Sequence, residues 1–171
     1  YDITDNASAL ISAGDDVLNV SGVTNIQVDA AGTGSVVNAA DGAALSAFTA
    51  DIEFVVVDNA AGLIAAMGGA DVAGQLTEAN SITVNDGTGS SVVNASDGAM
   101  LASFTANVEF DVSDTAANIA AQVASGVASG SGPDSLDEAD SVFVESGAAV
   151  TAAQAESVQD LINYSGGDID I

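Results

Sequence analysis

No lysine, arginine, histidine, cysteine or tryptophan occurs in these 171 residues, proline occurs once, and aromatic side chains make up only 4%. Each absence excludes something. Without cationic side chains there is nothing to neutralise nucleic-acid phosphates, and an anionic membrane surface would repel the chain. No salt bridge between side chains can form. Without cysteine there is neither a disulfide nor a thiolate metal site. Without histidine, cysteine or lysine, the Ser-His, Cys-His and Ser-Lys forms of nucleophilic catalysis are ruled out. No apolar run reaches transmembrane length and no signal peptide is recognisable. The lack of lysine and arginine leaves trypsin-like proteases nothing to cut, which suits an exposed extracellular life. The first residue is Tyr1 rather than Met, so the expectation is a processed product or a piece of something longer.

What remains is acidic and small. Nineteen Asp and six Glu give a net charge of −25 with nothing to offset it. Counterions, bound cations or wide spacing must relieve the self-repulsion. Hydrophobic residues still make up 48% of the chain, which argues for a folded domain rather than disorder. Most are Ala and Val, so the expected core is thin.

An internal repeat organises the chain. Residues 25–66 align without a gap on residues 81–122, at an offset of 56, with 21 of 42 positions identical. A shorter period lies inside it. A two-point apolar signature recurs as Tyr1/Ile3, Ile26/Val28, Phe54/Val56, Ile82/Val84, Phe110/Val112, Val142/Val144 and Ile169/Ile171, at intervals of 25, 28, 28, 28, 32 and 27. Alternation at period two is a strand signal, and it predicts seven short strands. The polar tract Ser129–Asp134 explains the one long interval as a surface insertion.

Two kinds of helix signal separate the strands. One follows its strand directly, at Asp5-Asn6-Ala7, Asp58-Asn59-Ala60-Ala61 and Asp114-Thr115-Ala116-Ala117. Oxygen-bearing side chains there accept the free amides of a first helical turn. The pairs Leu63/Met67 and Ile119/Val123 follow at helical spacing. The other kind begins at Asn38-x-x-Asp41, Asn94-x-x-Asp97 and Thr151-x-x-Gln154, in the manner of capping boxes. Its expected buried pairs are Leu45/Phe48, Leu101/Phe104 and Val158/Leu161. Phe48, Phe54, Phe104 and Phe110 are the largest side chains in the repeats and are expected in the core.

Strand, helix, strand at this period implies parallel strands joined by crossover helices. The opposite strand face carries Asp2/Thr4, Gln27/Asp29, Thr83/Asn85 and Asp111/Ser113, with Val55/Val57 and Phe143 as exceptions. One wet face argues against a doubly wound sheet. The expected fold is therefore α/β: an open solenoid of strand-helix units of about 28 residues, with a mostly parallel sheet and helices on one side. Residues 1–171 read as one repeat domain, with repeats 25–66 and 81–122 and partial repeats 1–24 and 135–171.

The strings Val112-Ser113-Asp114-Thr115-Ala116-Ala117-Asn118-Ile119-Ala120 and Val150-Thr151-Ala152-Ala153-Gln154-Ala155 resemble the V-S-D-T-A-A-N-I/L-A … V-T-x-A-Q-A repeats of very long secreted bacterial RTX and adhesin-like exoproteins, cyanobacterial ones included. The resemblance covers most of the chain and is sharp from about residue 107 to 160. It implies an extracellular, cell-surface or filament role and no catalytic residues. The glycine-aspartate nonapeptides of true RTX repeats are missing, so no calcium role transfers by motif. The leucine-rich-repeat signature is missing too, and that likeness is architectural only.

Site chemistry reduces to carboxylates. Gly32-Thr33-Gly34 and Gly87-Thr88-Gly89 read as loops, since no Walker pattern accompanies them. A paired-carboxylate glycosidase needs only Asp and Glu, but Glu53 and Glu109 recur at equivalent repeat positions, which argues for scaffold; the reading is of a protein that is not an enzyme. Calcium is the one cofactor in prospect, since it takes about six to eight oxygen ligands. The candidate ligands are Asp15, Asp16, Asp86 beside Asn85, Asp134, Asp137 beside Glu138, and Asp140. The plain alternative is that they form caps and turns. The leading functional expectation is a structural or adhesive module of a surface layer, sheath or filament. The alternative is a calcium-dependent domain recognising a glycan or a surface protein. The chain begins within two residues of one strand signature and ends on another, so the expected partner is a second copy or a neighbouring repeat of a longer chain.

Overall fold

The computed structural model describes residues 2–18, 21–29, 35–67, 76, 78–103, 108–129, 136, 138–145, 151–165 and 169–170. The chain divides into two compact units, Tyr1–Thr83 and Val84–Ile171. The first contains the repeat copy 25–66; the second contains all but the first three residues of 81–122.

The first unit runs β1 (Asp2–Asp5), α1 (Ala7–Ala13), α2 (Asp15–Leu18), β2 (Asn25–Val28), β3 (Val36–Val37), α3 (Ala39–Ser46), β4 (Ile52–Glu53), β5 (Val55–Asp58), α4 (Ala60–Met67) and β6 (Ser81–Val84), whose last residue belongs to the second unit. The second continues with β7 (Val92–Val93), α5 (Ala95–Ala102), β8 (Val108–Glu109), β9 (Asp111–Asp114), α6 (Ala116–Ser129), β10 (Ser141–Val144), α7 (Ala152–Ser165) and β11 (Ile169–Asp170). The fold is mixed α/β with mostly parallel sheets and, among the described residues, seven helices and no closed barrel.

Every described signature position falls on a strand or at its edge, while Tyr1 and Ile171 lie outside the described residues. Within the first unit the strand orders are β1-β2-β4 and β3-β5-β6, and within the second β11-β10-β9-β7. The register matches apolar positions: Ile3, Ile26 and Ile52 stand abreast, as do Val37 and Val56, and Val93, Val112, Val142 and Ile169. Burial alternates along β2, where Ile26 and Val28 are buried and Asn25 and Gln27 exposed. The outer face is wet at Asp2, Thr4, Gln27 and Asp29 but half-buried at Thr83, Asp111 and Ser113.

Strands at Phe54 and Phe110 differ from expectation. Each signature phenylalanine sits between two strands, at the point where the chain changes partner: β4 pairs with β2, whereas β5 pairs with β3. Both rings are fully buried, and their carbonyls accept from Asn80 N (2.9 Å) and Asp140 N (2.8 Å). Phe48, expected in the core, is only half-buried. It lies beyond the end of α3, where Leu45 already fills the buried position. Phe104 falls outside the described residues.

The helices begin where side-chain oxygens stand ready. Asn38 Oδ1 accepts from Asp41 N (2.8 Å) and Asn94 Oδ1 from Asp97 N (2.9 Å). In both, the reciprocal bond comes from the Asn side-chain amide to the Asp carboxylate. Thr151 and Gln154 form the full reciprocal box. Asn6, Asn59 and Thr115 cap α1, α4 and α6, accepting from Ala9, Gly62 and Asn118 N. Leu63, Ile119, Val123 and Val158 are buried as their spacing requires; the side chains of Met67 and Leu161 lie outside the described set. α2 carries no helical period in the sequence and was not expected.

Gly42 and Gly98 explain how the helices approach the sheets so closely. A Cβ at Gly42 would meet Val56 Cγ2 at 2.8 Å; one at Gly98 would meet Val112 Cγ2 at 2.7 Å. β-branched valine has little freedom to yield. Gly98→Ala removes a helix-interior glycine, a gain of about 1 kcal/mol, but overpacks a filled site, a loss of about 1–3 kcal/mol. The expected result in a urea titration is net destabilisation of up to about 2 kcal/mol by that difference; a stabilised variant would show that Val112 moves aside.

Candidate functional site

The carboxylates divide into three settings. The first is internal fastening, and it repeats. Asp58 was expected to cap the helix after it; instead it reaches back nineteen positions in sequence, its Oδ2 accepting from Ala39 N at 3.0 Å. Asp114 does the same to Ala95 N at 3.1 Å. Ala39 and Ala95 are fully buried and open α3 and α5, so each carboxylate satisfies an amide that has no partner within its own helix. The other oxygen, Oδ1, accepts from Asn59 N and Nδ2 in the first unit and from Thr115 N and Asn118 Nδ2 in the second. Position 62 is glycine where its counterpart is Asn118. A Cβ at Gly62 would sit 2.7 Å from the Asp58 carboxyl group. Partial burial works against the Asp114 charge, but the bonds from Ala95, Asn118 and Thr115 outweigh it and hold its pKa below the usual carboxylate value.

The second setting is a loop. Asp86 is exposed and accepts through Oδ1 from Thr88 Oγ1, Thr88 N and Ser90 N. These bonds, the Thr88 hydroxyl first, lower its pKa. Gly87 and Gly89 take positive φ values of 86° and 92°, a backbone that favours glycine there. Oδ1 of Asp86 is thus engaged in closing its own turn.

The third setting lies on the second unit's sheet. Asp111, half-buried, accepts from the hydroxyl of Ser91 (2.6 Å) and from that of Ser141. Asp140 immediately precedes β10 and is exposed. Desolvation first, then the negative charges of Asp111 and Glu109, push its pKa up. Here the charges of Asp111 and Glu109 bear on Asp140.

Of the six candidate ligands, Asp134 and Asp137 lie outside the described residues, as does the Asp15 side chain, whose backbone opens α2. Asp16 is exposed on α2, away in sequence and unit from Asp86 and Asp140. The last two share the second unit but keep separate company: Asp86 its own loop, Asp140 its neighbours Asp111 and Glu109. Among the described residues no group of three or more acidic side chains is arranged to hold a metal ion. Glu53 and Glu109 are exposed on their strands. A cavity of about 250 Å³ in the first unit brings apolar Leu18, Val23 and Ile26 beside Thr24, Asn25 and Asp51. Among its described lining residues Asp51 alone is titratable. No described helix is long and apolar enough to cross a membrane. Comparison with family models, with curated proteins and with solved structures finds no match.

The residues that sequence reasoning missed are the fasteners. Asp58 and Asp114 were visible as invariant between the repeat copies, while the cap beside them varies from Asn59 to Thr115. A position fixed next to one free to change was the available signal.

Proposed function

We propose that this chain is an extracellular structural or adhesive repeat module of a cell-surface layer, sheath or filament. In this reading it is an open solenoid of strand-helix units with its helices on one side, it associates end to end, and it is not an enzyme. The observation that carries the proposal is the doubling of internal contacts. Gly42 against Val56, Leu76 and Phe54 reappears as Gly98 against Val112, Leu136 and Phe110, and the Asp58–Ala39 fastening reappears as Asp114–Ala95. Residues duplicated in this way serve the scaffold, because a catalytic site needs to be built only once. Parallel in-register ladders and direct packing of α1 on α3, α3 on α4, α5 on α6 and α6 on α7 fit a one-sided helical layer. The partner is a second copy or a neighbouring repeat of a longer chain.

Assembly must overcome like charge. With a net charge of −25, repulsion acts over a screening length of about 8–10 Å at physiological salt. The melting temperature is expected to rise steeply with NaCl. Sedimentation and electron microscopy at high protein concentration should show polymers with salt and Ca²⁺ and fewer with EDTA. A monomer under every condition would defeat the proposal.

A calcium-dependent domain recognising a glycan or surface protein is the second reading. The crowding of Asp140, Asp111 and Glu109 favours it, because a cation would offset both the desolvation that chiefly raises the Asp140 pKa and the repulsion from its two neighbours that adds to it. Its signature is a gain in melting temperature from millimolar Ca²⁺ at constant ionic strength that Asp140→Asn abolishes.

A further inference from the structure

We infer that the cavity of the first unit is a socket for a primary ammonium on an alkyl stem, as a lysine side chain of another protein presents it. The inference goes beyond the end-to-end reading and concerns a different partner. This chain has no lysine, so a second copy cannot fill the site with one. At about 250 Å³ the cavity lies below the range of about 300–1,000 Å³ typical of ligand pockets. It suits a single side chain rather than a larger ligand.

The lining residues sort by chemistry. Leu18 and Ile26 are buried, and Val23 and Ala50 half-buried; all four are apolar. Thr24, Asn25 and Asp51 are exposed. Thr24 already donates its hydroxyl proton to Asp2 Oδ1 at 2.7 Å, which leaves its oxygen to a ligand as an acceptor. Among the described residues neither the Asp51 carboxylate nor the Asn25 carboxamide has a hydrogen-bond partner. Three side chains with acceptor oxygens thus match the three protons of an ammonium in number, and one carries the negative charge that strengthens such a bond. The apolar lining decides between cations. Ca²⁺ takes about six to eight oxygen ligands, and the side chains of Leu18, Val23, Ile26 and Ala50 offer none. A lysine stem packs on such a surface while its head stays with polar groups and water. Quaternary ammonium groups are held by aromatic faces, and no described lining residue is aromatic.

The repeat supplies an independent argument. Ile26 and Ala50 recur as Ile82 and Ala106, but Asp51 gives way to Asn107 and Asn25 to Ser81. The apolar positions are kept in both copies, as scaffold residues are, whereas the carboxylate occurs in one copy only. Asp51 also lacks the fastening bonds that occupy Asp58, Asp86 and Asp114. A charge present once, and not used to hold the fold, is available to a partner. The net charge of −25 draws cationic partners to the chain, and the socket selects among them.

Amide NMR titrations of the full chain at constant ionic strength test the socket. The probes are n-butylammonium, a lysine residue blocked at both its amino and carboxyl ends, and tetramethylammonium as the comparator. Both primary amines are expected to shift the Val23, Ala50 and Asp51 signals saturably, and tetramethylammonium to leave them in place. Asp51→Asn should weaken binding by about tenfold or more, as for a lost hydrogen bond to a charged group. Ala50→Val keeps every charge but takes up cavity space, and should weaken it as well. Glu53→Gln removes an exposed carboxylate two residues away and should leave it unchanged. Asp51 is exposed, so Asp51→Asn leaves the core intact and decides the matter even where Ala50→Val fails to fold. Shifts spread over the acidic surface, alike in wild type and Asp51→Asn, would mean attraction by charge alone and overturn the inference. Butylammonium bound with the blocked lysine excluded would assign the cavity to a free amine and overturn the protein partner.

Discussion

Replacing Phe110 by Ala is expected to lower the unfolding free energy by about 3–5 kcal/mol. The ring is fully buried, and its Cε2 lies near the Cβ position of Gly98, within reach of the α5 backbone. Its backbone stands where β8 ends and β9 begins, and its carbonyl receives Asp140 N at 2.8 Å. The core around it is made of Ala, Val, Leu and Ile, none of which can swell to refill the space, so the cavity term should be close to its full value. Phe54→Ala should cost a similar amount, because its fully buried ring lies against Gly42 as that of Phe110 lies against Gly98. Phe48→Ala, at a half-buried position, should cost clearly less than either. Urea titrations of the three variants decide the matter. A Phe48 variant as damaged as the Phe110 variant would reverse the assignment of the core.

How much of this was legible in the sequence depends on how far apart the cooperating residues lie. Strands were legible because period-two alternation is a local property, and the seven signatures needed only neighbours two residues away. Helix starts were legible for the same reason: Asn38 and Asp41, or Thr151 and Gln154, meet within one turn. The short strands β3, β4, β7 and β8 were not, since two residues make no period. Phe48 departs from the expected burial because size within a repeat does not by itself place a ring in the core; the turn after α3 leaves that ring half in water. The Asp58 and Asp114 fasteners bridge nineteen residues, and no local rule connects an acid to an amide at that distance. Their constancy between copies was the only trace. For the site, the sequence supplied many carboxylates but not their company. It did not separate Asp86, occupied with its own loop, from Asp140, pressed by Asp111 and Glu109.

Stability is expected to rise and then fall as the solution is acidified from neutrality, with Asp140 on the rising limb and Asp114, together with Asp86, on the falling one. Asp140 has a folded pKa above its ordinary value of 3.8, through desolvation and then the charges of Asp111 and Glu109. A raised acid pKa means that the fold prefers the protonated form. That stabilisation is complete below the ordinary value and is lost as pH rises through the folded one, so acidification restores it first. Asp114 has a folded pKa below 3.8, because the bonds from Ala95, Asn118 and Thr115 overcome its desolvation. Its contribution is present above the ordinary value and is lost as pH falls through the folded one. Below that point α5 loses the acceptor for a buried amide. Asp114→Ala should therefore lower stability by about 1.5–3 kcal/mol at neutral pH, as expected for hydrogen bonds to a charged group. The difference from wild type should shrink in strong acid, where the wild-type carboxylate is itself neutral. Asp114→Asn keeps one acceptor oxygen and should fall between the two. Asp140→Asn should remove most of the acid-side rise and leave the lower limb intact. Urea midpoints measured across the acid range test each limb separately. A wild-type curve that only declines from neutrality would refute the role given to Asp140, and an Asp114→Ala curve parallel to wild type at every pH would refute the role given to Asp114.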